Sequence, residues 1–153
     1  DDRIAILGDN DARWIAVYFG ILRLGAIAVP LDTNYKSAQV RTVLENSGAR
    51  LIFTTPRYAE GVKTACDGLP TPVPMQLMAE VPVLDAAPPA VVDRGDADAA
   101  VILYTSGTTA DPKGVVLTHG NLEAERQAAF SVVTVTERDA ILGVLPLFHS
   151  LAQ

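Results

Sequence analysis

The sequence predicts an α/β fold, in which a mostly parallel sheet is flanked by helices on both faces as an αβα sandwich. Short apolar runs alternate with longer stretches whose apolar residues recur at helical spacing, as in βαβ units. Glycine follows two of these helical stretches, where a helix C-terminus often requires a positive φ. Of the 153 residues 49% are hydrophobic, enough to fill the core of one domain or of part of a larger one.

The first strand and helix are marked by clear start and stop signals. Residues 3–7 predict a strand closed by Gly8, and either Asn10 or Asp11 then offers the N-cap of a helix that ends near Gly25. The apolar face of this helix carries Trp14, Val17, Tyr18, Ile21 and Leu22. These side chains are expected in the core.

Two more strands follow, with a second helix between them. Residues 26–29 are apolar without a period and stop at Pro30, which is typical of a strand buried on both faces. Ser37 is predicted to cap the second helix, which ends at Gly48, and residues 51–54 predict the third strand. The apolar face of the helix carries Val40, Val43 and Leu44. This order predicts parallel strands joined by helices.

A proline-rich connector over residues 67–98 separates a block of βαβ units, residues 1–66, from a last block, residues 99–153. Apolar residues within the connector favour packing on the domain surface, with a short strand or two, and the alternative is a flexible interdomain linker. Six of the ten prolines lie in it: Pro70, Pro72, Pro74, Pro82, Pro88 and Pro89. All three blocks are assigned to one partial domain, residues 1–153.

The last block is predicted to contain strands at residues 99–104 and 115–117 on either side of a polar loop. A helix follows from Asn121, and residues 140–145 predict a final strand. One face of the helix carries Leu122, Arg126, Ala129, Phe130 and Val133.

Composition disfavours several functional classes. The formal net charge is -6, which opposes a nucleic-acid or anionic membrane partner. The most apolar stretch, residues 16–31, is interrupted by Arg23 and predicts no transmembrane segment. Cys66 is the one cysteine and favours a reducing, cytoplasmic location. With only two histidines, the sequence predicts no metal site built from cysteine and histidine.

The polar loop of the last block has the composition of an anion site. Four hydroxyl residues, one glycine and one lysine fall within nine residues: Thr105, Ser106, Gly107, Thr108, Thr109 and Lys113. Hydroxyls donate hydrogen bonds, glycine lets backbone N–H groups approach an anion closely, and lysine supplies a full positive charge. The loop is predicted to bind phosphate groups, and a turn that is merely rich in hydroxyls is the structural alternative.

A Walker loop is the first comparison for this segment, because Gly107 and Lys113 stand six residues apart as they do there. However, Pro112 has no N–H where that loop needs glycine, and Gly114 replaces the hydroxyl residue that binds magnesium. The residues that follow predict a strand, whereas a Walker loop opens a helix. The sequence therefore predicts a phosphate site of another design.

The segment Thr-Ser-Gly-Thr-Thr-x-x-Pro-Lys-Gly-Val, from Thr105 to Val115, resembles the signature loop of the adenylate-forming (AMP-binding) superfamily. That superfamily groups acyl-CoA synthetases, peptide-synthetase adenylation domains and luciferases. Ala110 departs from the pattern, since the family usually has glycine there. The segment Leu-Pro-Leu-Phe-His-Ser is most similar to fatty acyl-CoA ligases. Three further parts of the chain match in the expected order: residues 25–32 with 44–49, residues 117–122 and residues 145–150.

The resemblance implies an ATP-dependent acyl-CoA ligase that converts a fatty acid to an acyl-adenylate, releases pyrophosphate and transfers the acyl group to CoA. The loop from Thr105 to Lys113 would hold the β and γ phosphates of ATP as pyrophosphate leaves. Phe148 and His149 would lie at the acyl and carboxylate pocket, with His149 the candidate catalytic residue. The alternatives are an adenylation domain for an amino or aryl acid and a non-catalytic nucleotide-binding module.

Members of this superfamily are several times longer than 153 residues. By the resemblance, their Mg2+ ligand, adenine and ribose contacts and activating lysine all lie beyond the segment of His149. The chain is therefore expected to be the first part of a large N-terminal domain and to be inactive alone. The remainder of the enzyme is expected to pack on its apolar faces.

Overall fold

The computed structural model describes residues 2–82, 87–105, 113–140 and 142–149. The strands are β1 Arg3–Leu7, β2 Ile27–Pro30, β3 Leu51–Thr54, β4 Met75–Leu77, β5 Ala99–Thr105 and β6 Lys113–Thr118. The helices are α1 Ala12–Arg23, α2 Ser37–Ser47, α3 Ala59–Cys66 and α4 His119–Val132, with a 3-10 turn at Met78–Glu80. Within the described ranges, no helix has the length and apolar character needed to cross a bilayer.

One sheet contains these six strands in the order β4-β3-β1-β2-β5-β6. Strands β1 to β5 run parallel to their neighbours, whereas β6 pairs antiparallel with β5. Helices α2 and α3 pack on one face and α1 packs on the other. The predicted α/β class with a mostly parallel sheet is confirmed. The carboxyl ends of five strands share one edge, which is where open α/β sheets bind ligands.

The core lies on both faces of the sheet. Strand β2 is buried at every position, as predicted for a strand covered on both sides. On α1, Trp14 and Tyr18 stack with ring centroids 5.4 Å apart, and Ile21 is buried in the same cluster. Burial raises the pKa of Tyr18 to about 12, so its hydroxyl stays protonated. The predicted core face of α2 is also buried, at Val40, Val43 and Leu44.

Side chains cap the first two helices in ways that local rules only partly predicted. Asp11, not Asn10, is the N-cap of α1, and its Oδ1 accepts a backbone hydrogen bond at 2.7 Å. The N-cap of α2 is Lys36, so the prediction for Ser37 is wrong. The reason is that Gln39, three residues into the helix, reaches back with Oε1 to accept from the Lys36 N–H at 3.0 Å.

Helix α4 begins at His119, two residues before its predicted start at Asn121. Thr118 is the N-cap, and its Oγ1 accepts from the Asn121 N–H at 3.2 Å. Asn121 Oδ1 in turn accepts from the Thr118 N–H at 3.0 Å, which completes a capping box. No described residue of α4 is buried, and Phe130 on its predicted apolar face is 53% exposed.

The predicted strand at residues 140–145 is wrong, because residue 140 and residues 142–145 are irregular. A strand forms where a neighbouring strand satisfies its backbone groups. Here Asn10 Nδ2 donates to the carbonyls of Gly143 and Leu145 instead. A side chain therefore takes the place of a strand partner for these two carbonyls.

The described part of the connector contacts the domain at several places, including the start of α4, where the His119 N–H donates to Asp98 O at 3.0 Å. Strand β4 pairs parallel with β3, which accounts for the predicted short strand. Further on, the Val92 N–H donates to Arg23 O at 2.9 Å, and Arg23 Nε donates to Pro89 O at 3.0 Å. The Arg94 guanidinium donates to the carbonyl of Gly25. These contacts hold the segment against the C-terminal end of α1.

Candidate functional site

The two ends of the predicted phosphate loop lie opposite each other at the carboxyl edge of the sheet. Strand β5 ends at Thr105, β6 begins at Lys113, and the register pairs these two residues directly. Both are exposed. The structure therefore brings together the first hydroxyl and the lysine of the predicted site. Outside the described ranges lie the predicted loop residues between them, namely Ser106, Gly107, Thr108 and Thr109, and also Ala110.

The face of the sheet on which the loop ends lie follows from the strand register. Side chains alternate along a strand, so Thr105 and Lys113 share a face with Leu103 and Leu117. Leu103 is part of the core cluster beneath α1, and Leu117 and Leu147 both pack against that cluster. The loop ends and the chain around Leu147 therefore lie on the same face.

Tyr104 supports the loop from the opposite face of the sheet. Its hydroxyl donates to Asn46 Oδ1 on α2 at 2.6 Å. Burial raises the pKa of Tyr104, so the hydroxyl remains a protonated donor. Its register partner is Gly114, where a Cβ atom would lie 3.1 Å from Tyr104 Cζ. The hydrogen bond joins β5 to α2, and Gly114 leaves room for the Tyr104 ring beside β6. Sequence reasoning missed these three residues as parts of the site.

Phe148, which the sequence predicts to be a substrate-pocket residue, lies at the carboxyl edge of the sheet. It lines an open cleft of about 210 Å³ together with Asn10, Thr33 and other residues of the β1–α1 and β2–α2 connections. His149 is exposed, and its N–H donates to Pro146 O at 2.9 Å, which closes a turn around Phe148. Phe148 therefore lines the cleft, and His149 is the next residue along the chain.

An ion-pair network that sequence reasoning missed ties the β1–α1 connection to the β3–α3 connection. Tyr58 donates its hydroxyl to Asp9 Oδ1 at 2.6 Å, and Arg57 Nη1 lies 3.2 Å from the same carboxylate. The Arg57 guanidinium also lies 5.3 Å from the centre of the Tyr58 ring. The sequence did contain a signal for this network. Asp9 and Arg57 carry opposite charges just after two predicted parallel strands, and the carboxyl ends of such strands share an edge.

A second cleft lies at the opposite edge of the sheet. It has a volume of about 390 Å³, and its lining includes Gly48, Arg50, Pro70 and Val73, which precede β3 and β4. It contains no residue that the sequence predicts to be functional. Because open α/β sheets bind ligands at the carboxyl ends of their strands, the edge with Thr105, Lys113 and Phe148 is the candidate site.

The chain is similar to known proteins over its whole length. Residues 1–153 match the family described as AMP-binding enzyme. Long-chain-fatty-acid–CoA ligase FadD13 of Mycobacterium tuberculosis is 33% identical over 157 residues, covering 99% of this chain and 31% of the relative. Feruloyl-CoA synthase of Amycolatopsis sp is 33% identical over 151 residues, covering 99% of this chain and 30% of the relative. The chain thus spans about 30% of the length of these relatives.

A solved structure matches this chain in fold as well as in sequence. The o-succinylbenzoate CoA synthetase MenE from Bacillus subtilis, in complex with the acyl-adenylate intermediate OSB-AMP, matches with a TM-score of 0.81 and 31% identity. The match covers 97% of this chain and 38% of that one. With a family match over all 153 residues, a shared fold and the signature loop anchored at the carboxyl edge, the chain belongs to the family of AMP-binding enzymes.

Proposed function

We propose that this chain is part of an ATP-dependent acid–CoA ligase that acts on a fatty acid. In the first step the carboxylate attacks the α phosphorus of ATP, an oxygen–phosphorus bond forms, and the bond to pyrophosphate breaks. The product is an acyl-adenylate. In the second step the deprotonated thiol of CoA attacks the acyl carbon, and AMP leaves with the bonding electrons.

The observation that carries the proposal is the direct pairing of Thr105 with Lys113 at the carboxyl edge. A carboxylate and a triphosphate repel each other, so the site must neutralise charge as pyrophosphate leaves. The Lys113 ammonium supplies that charge, and glycine in the loop permits close approach of the backbone. The residues proposed to bind the β and γ phosphates are Thr105, Ser106, Gly107, Thr108, Thr109 and Lys113.

The acid is proposed to bind next to Phe148 and His149, with the aromatic ring against the acyl chain and the imidazole near the carboxylate. The position of Phe148 in the cleft at the carboxyl edge supports this placement. A fatty acid is the first candidate because the segment of Phe148 resembles that of fatty acyl-CoA ligases and FadD13 is named as one. An aromatic acid is the second candidate, since feruloyl-CoA synthase matches at the same identity.

The remaining expectations extend this proposal. Residues 1–66, 67–98 and 99–153 are proposed as parts of one nucleotide-binding domain of a cytoplasmic enzyme, and further chain is proposed to cover its apolar faces. The family resemblance implies Mg2+. However, within the described ranges no group of three or more His, Cys, Asp or Glu residues could hold a metal ion, and no step is assigned to one.

Acid-dependent ATP–pyrophosphate exchange by the full-length protein that contains this chain tests the proposal. Lys113→Ala is expected to lower the exchange rate by about 100-fold or more, because pyrophosphate loses its countercharge as it leaves. Lys63→Ala removes another exposed lysine, on α3, and is expected to retain the wild-type rate. The isolated 153 residues are expected to show no exchange above the Lys113→Ala background.

The acid that supports exchange identifies the substrate class. A long-chain fatty acid as the best substrate supports the proposal, and ferulate as the best substrate favours the second candidate. Exchange with an amino acid alone would assign the chain to an adenylation domain. Binding of ATP in calorimetry without exchange for any acid would indicate a non-catalytic nucleotide-binding module. Wild-type exchange by Lys113→Ala would refute the role of the loop.

A further inference from the structure

Asn10 lies between β1 and α1, and its side chain contacts a part of the chain 133 to 137 residues away. Its Nδ2 donates to Leu145 O at 2.8 Å and to Gly143 O at 3.3 Å. Its Oδ1 accepts from the Leu147 N–H at 2.9 Å. All three partners are backbone groups, so this contact determines the path of the main chain rather than the packing of particular side chains.

A carboxamide is suited to this contact because it carries two donor hydrogens and an acceptor oxygen on one planar group. Aspartate has the same length but offers only acceptors when ionised, and alanine offers neither. Asn10 is also free of the local role that its position suggests, since Asp11 caps α1. The side chain is therefore available for a tertiary contact.

The residues on either side of Asn10 in the chain, Asp9 and Asp11, are both held by hydrogen bonds. Asp9 accepts a hydrogen bond from Tyr58 at 2.6 Å and pairs with Arg57, both of the β3–α3 connection. Asp11 is bound to the first turn of α1. Because both neighbours of Asn10 in the chain are held by other elements, its carboxamide presents donors and an acceptor from a defined position.

The segment that Asn10 contacts has no helix or strand of its own. Residues 142–145 are irregular, and a turn follows at Leu147 and Phe148. Leu147 packs on the core cluster beneath α1, and Phe148 lines the cleft that Asn10 also lines. A segment without its own backbone ladder depends on tertiary contacts for its position. The three hydrogen bonds of Asn10 are contacts of that kind.

We propose that Asn10 is a positioning residue of the acid site, whose carboxamide holds residues 143–147 and thereby places Phe148 and His149 against the acid. The inference rests on the proposed function, which assigns these two residues to the acid. Asn10 acts through the segment, so its loss affects the acid rather than ATP.

The test compares Asn10→Ala and Asn10→Asp in the full-length protein, with Asn34→Ala as the matched control. Asn34 lies at the same edge and donates to Asp32 Oδ1 of its own connection at 2.9 Å. Hydrogen exchange of the Leu147 amide reports the contact without reference to activity. Separate KM values for the acid and for ATP, from pyrophosphate exchange, report its consequence. The urea midpoint of each variant shows that it is folded.

In Asn10→Ala the Leu147 amide is expected to exchange faster, and the KM for the acid is expected to rise about tenfold or more. The KM for ATP should stay within about twofold of the wild-type value, since the phosphate loop is untouched. Asn10→Asp loses both donors but keeps the acceptor, so it should raise the KM for the acid and still protect the Leu147 amide. Asn34→Ala should leave both KM values unchanged.

Several results would overturn the inference. Unchanged exchange of the Leu147 amide in Asn10→Ala would show that the contact does not hold the segment. Faster exchange with unchanged KM values, or an equal rise in both KM values, would remove the specific role in acid binding. A wild-type protein without acid-dependent exchange would instead refute the proposed function, and the hydrogen-exchange result would still report on the contact itself.

Discussion

Gly114 is required by the space beside it rather than by its backbone angles. A Cβ atom there would lie 2.9 Å from Ile102 Cγ2 and 3.1 Å from Tyr104 Cζ, which is closer than ordinary van der Waals contact. Tyr104 is itself held by its hydrogen bond to Asn46. The absence of a side chain lets β6 lie against β5 directly beside Lys113.

Gly114→Ala is expected to lower the free energy of unfolding by about 1–3 kcal/mol, because Ile102 and Tyr104 must move to admit the methyl group. It is also expected to raise the KM for ATP in the full-length enzyme, since Lys113 is the adjacent residue. Urea unfolding and pyrophosphate exchange measure the two effects.

Gly20→Ala is the control for this substitution, because a Cβ at Gly20 meets nothing within 4 Å. Gly20 lies within α1, where alanine is the better helix former, so Gly20→Ala is expected to stabilise the protein by up to about 1 kcal/mol. An unchanged urea midpoint for Gly114→Ala would contradict the close packing of β5 and β6.

At the scale of elements, the connector and α1 meet at a glycine. Gly25 and Gly48 each follow a helix with φ near the left-handed region, at +68° and +65°. A Cβ at Gly25 would lie 2.7 Å from both Val92 Cγ1 and Arg94 Nε. At Gly48 the nearest atom would be Arg3 Nη1 at 3.5 Å. The two positions share a backbone requirement and differ in whether the connector covers them.

Gly48→Ala is expected to lower the free energy of unfolding by about 1–2 kcal/mol, because alanine is strained in a left-handed backbone conformation. Gly25→Ala is expected to lower the free energy of unfolding by about 1–3 kcal/mol more than Gly48→Ala does, because the methyl group also displaces the connector. Urea unfolding of the two variants measures the difference. Equal losses would contradict tight packing of the connector on the end of α1.

At the scale of the molecule, apolar surface is concentrated beyond β5. Strand β6 is last in the sheet, and its outer edge has no strand partner among the described residues. Exposed apolar side chains lie on β6, on α4 and in the segment after it: Val115, Val116, Phe130, Val132, Leu142 and Val144. Exposed apolar side chains and an open strand edge are typical of a contact with further chain.

The isolated 153-residue chain is therefore expected to self-associate through this edge. Val116→Lys is expected to reduce the association, because a charged side chain on an edge strand opposes pairing with another strand. Sedimentation velocity over a range of concentrations measures it. Val91→Lys, on the exposed connector, is the control and should associate like the wild type. Dissociation by Val91→Lys alone would place the contact elsewhere.

The sequence by itself determined the order of elements through β3 and the parallel class of the sheet, and it predicts the anion-binding character of the loop. These features depend on short-range signals. Each of these features can be recognised within a few residues of sequence. They are the aperiodic apolar run that forms β2, the core positions Val40 and Val43 on α2, and the hydroxyls and lysine from Thr105 to Lys113. The family resemblance of the loop could be recognised for the same reason.

Only the tertiary structure decided which groups meet across the chain. Local rules left Asn10 and Asp11 equivalent as caps, and in the structure Asp11 caps α1 while Asn10 bonds to backbone groups at residues 143–147. The Tyr104 hydroxyl donates to Asn46 on a different element, and residue 140 and residues 142–145 lack a strand partner among the described residues. A hydrogen bond to a distant group depends on where the fold brings that group, and no pattern within a single segment records that distance.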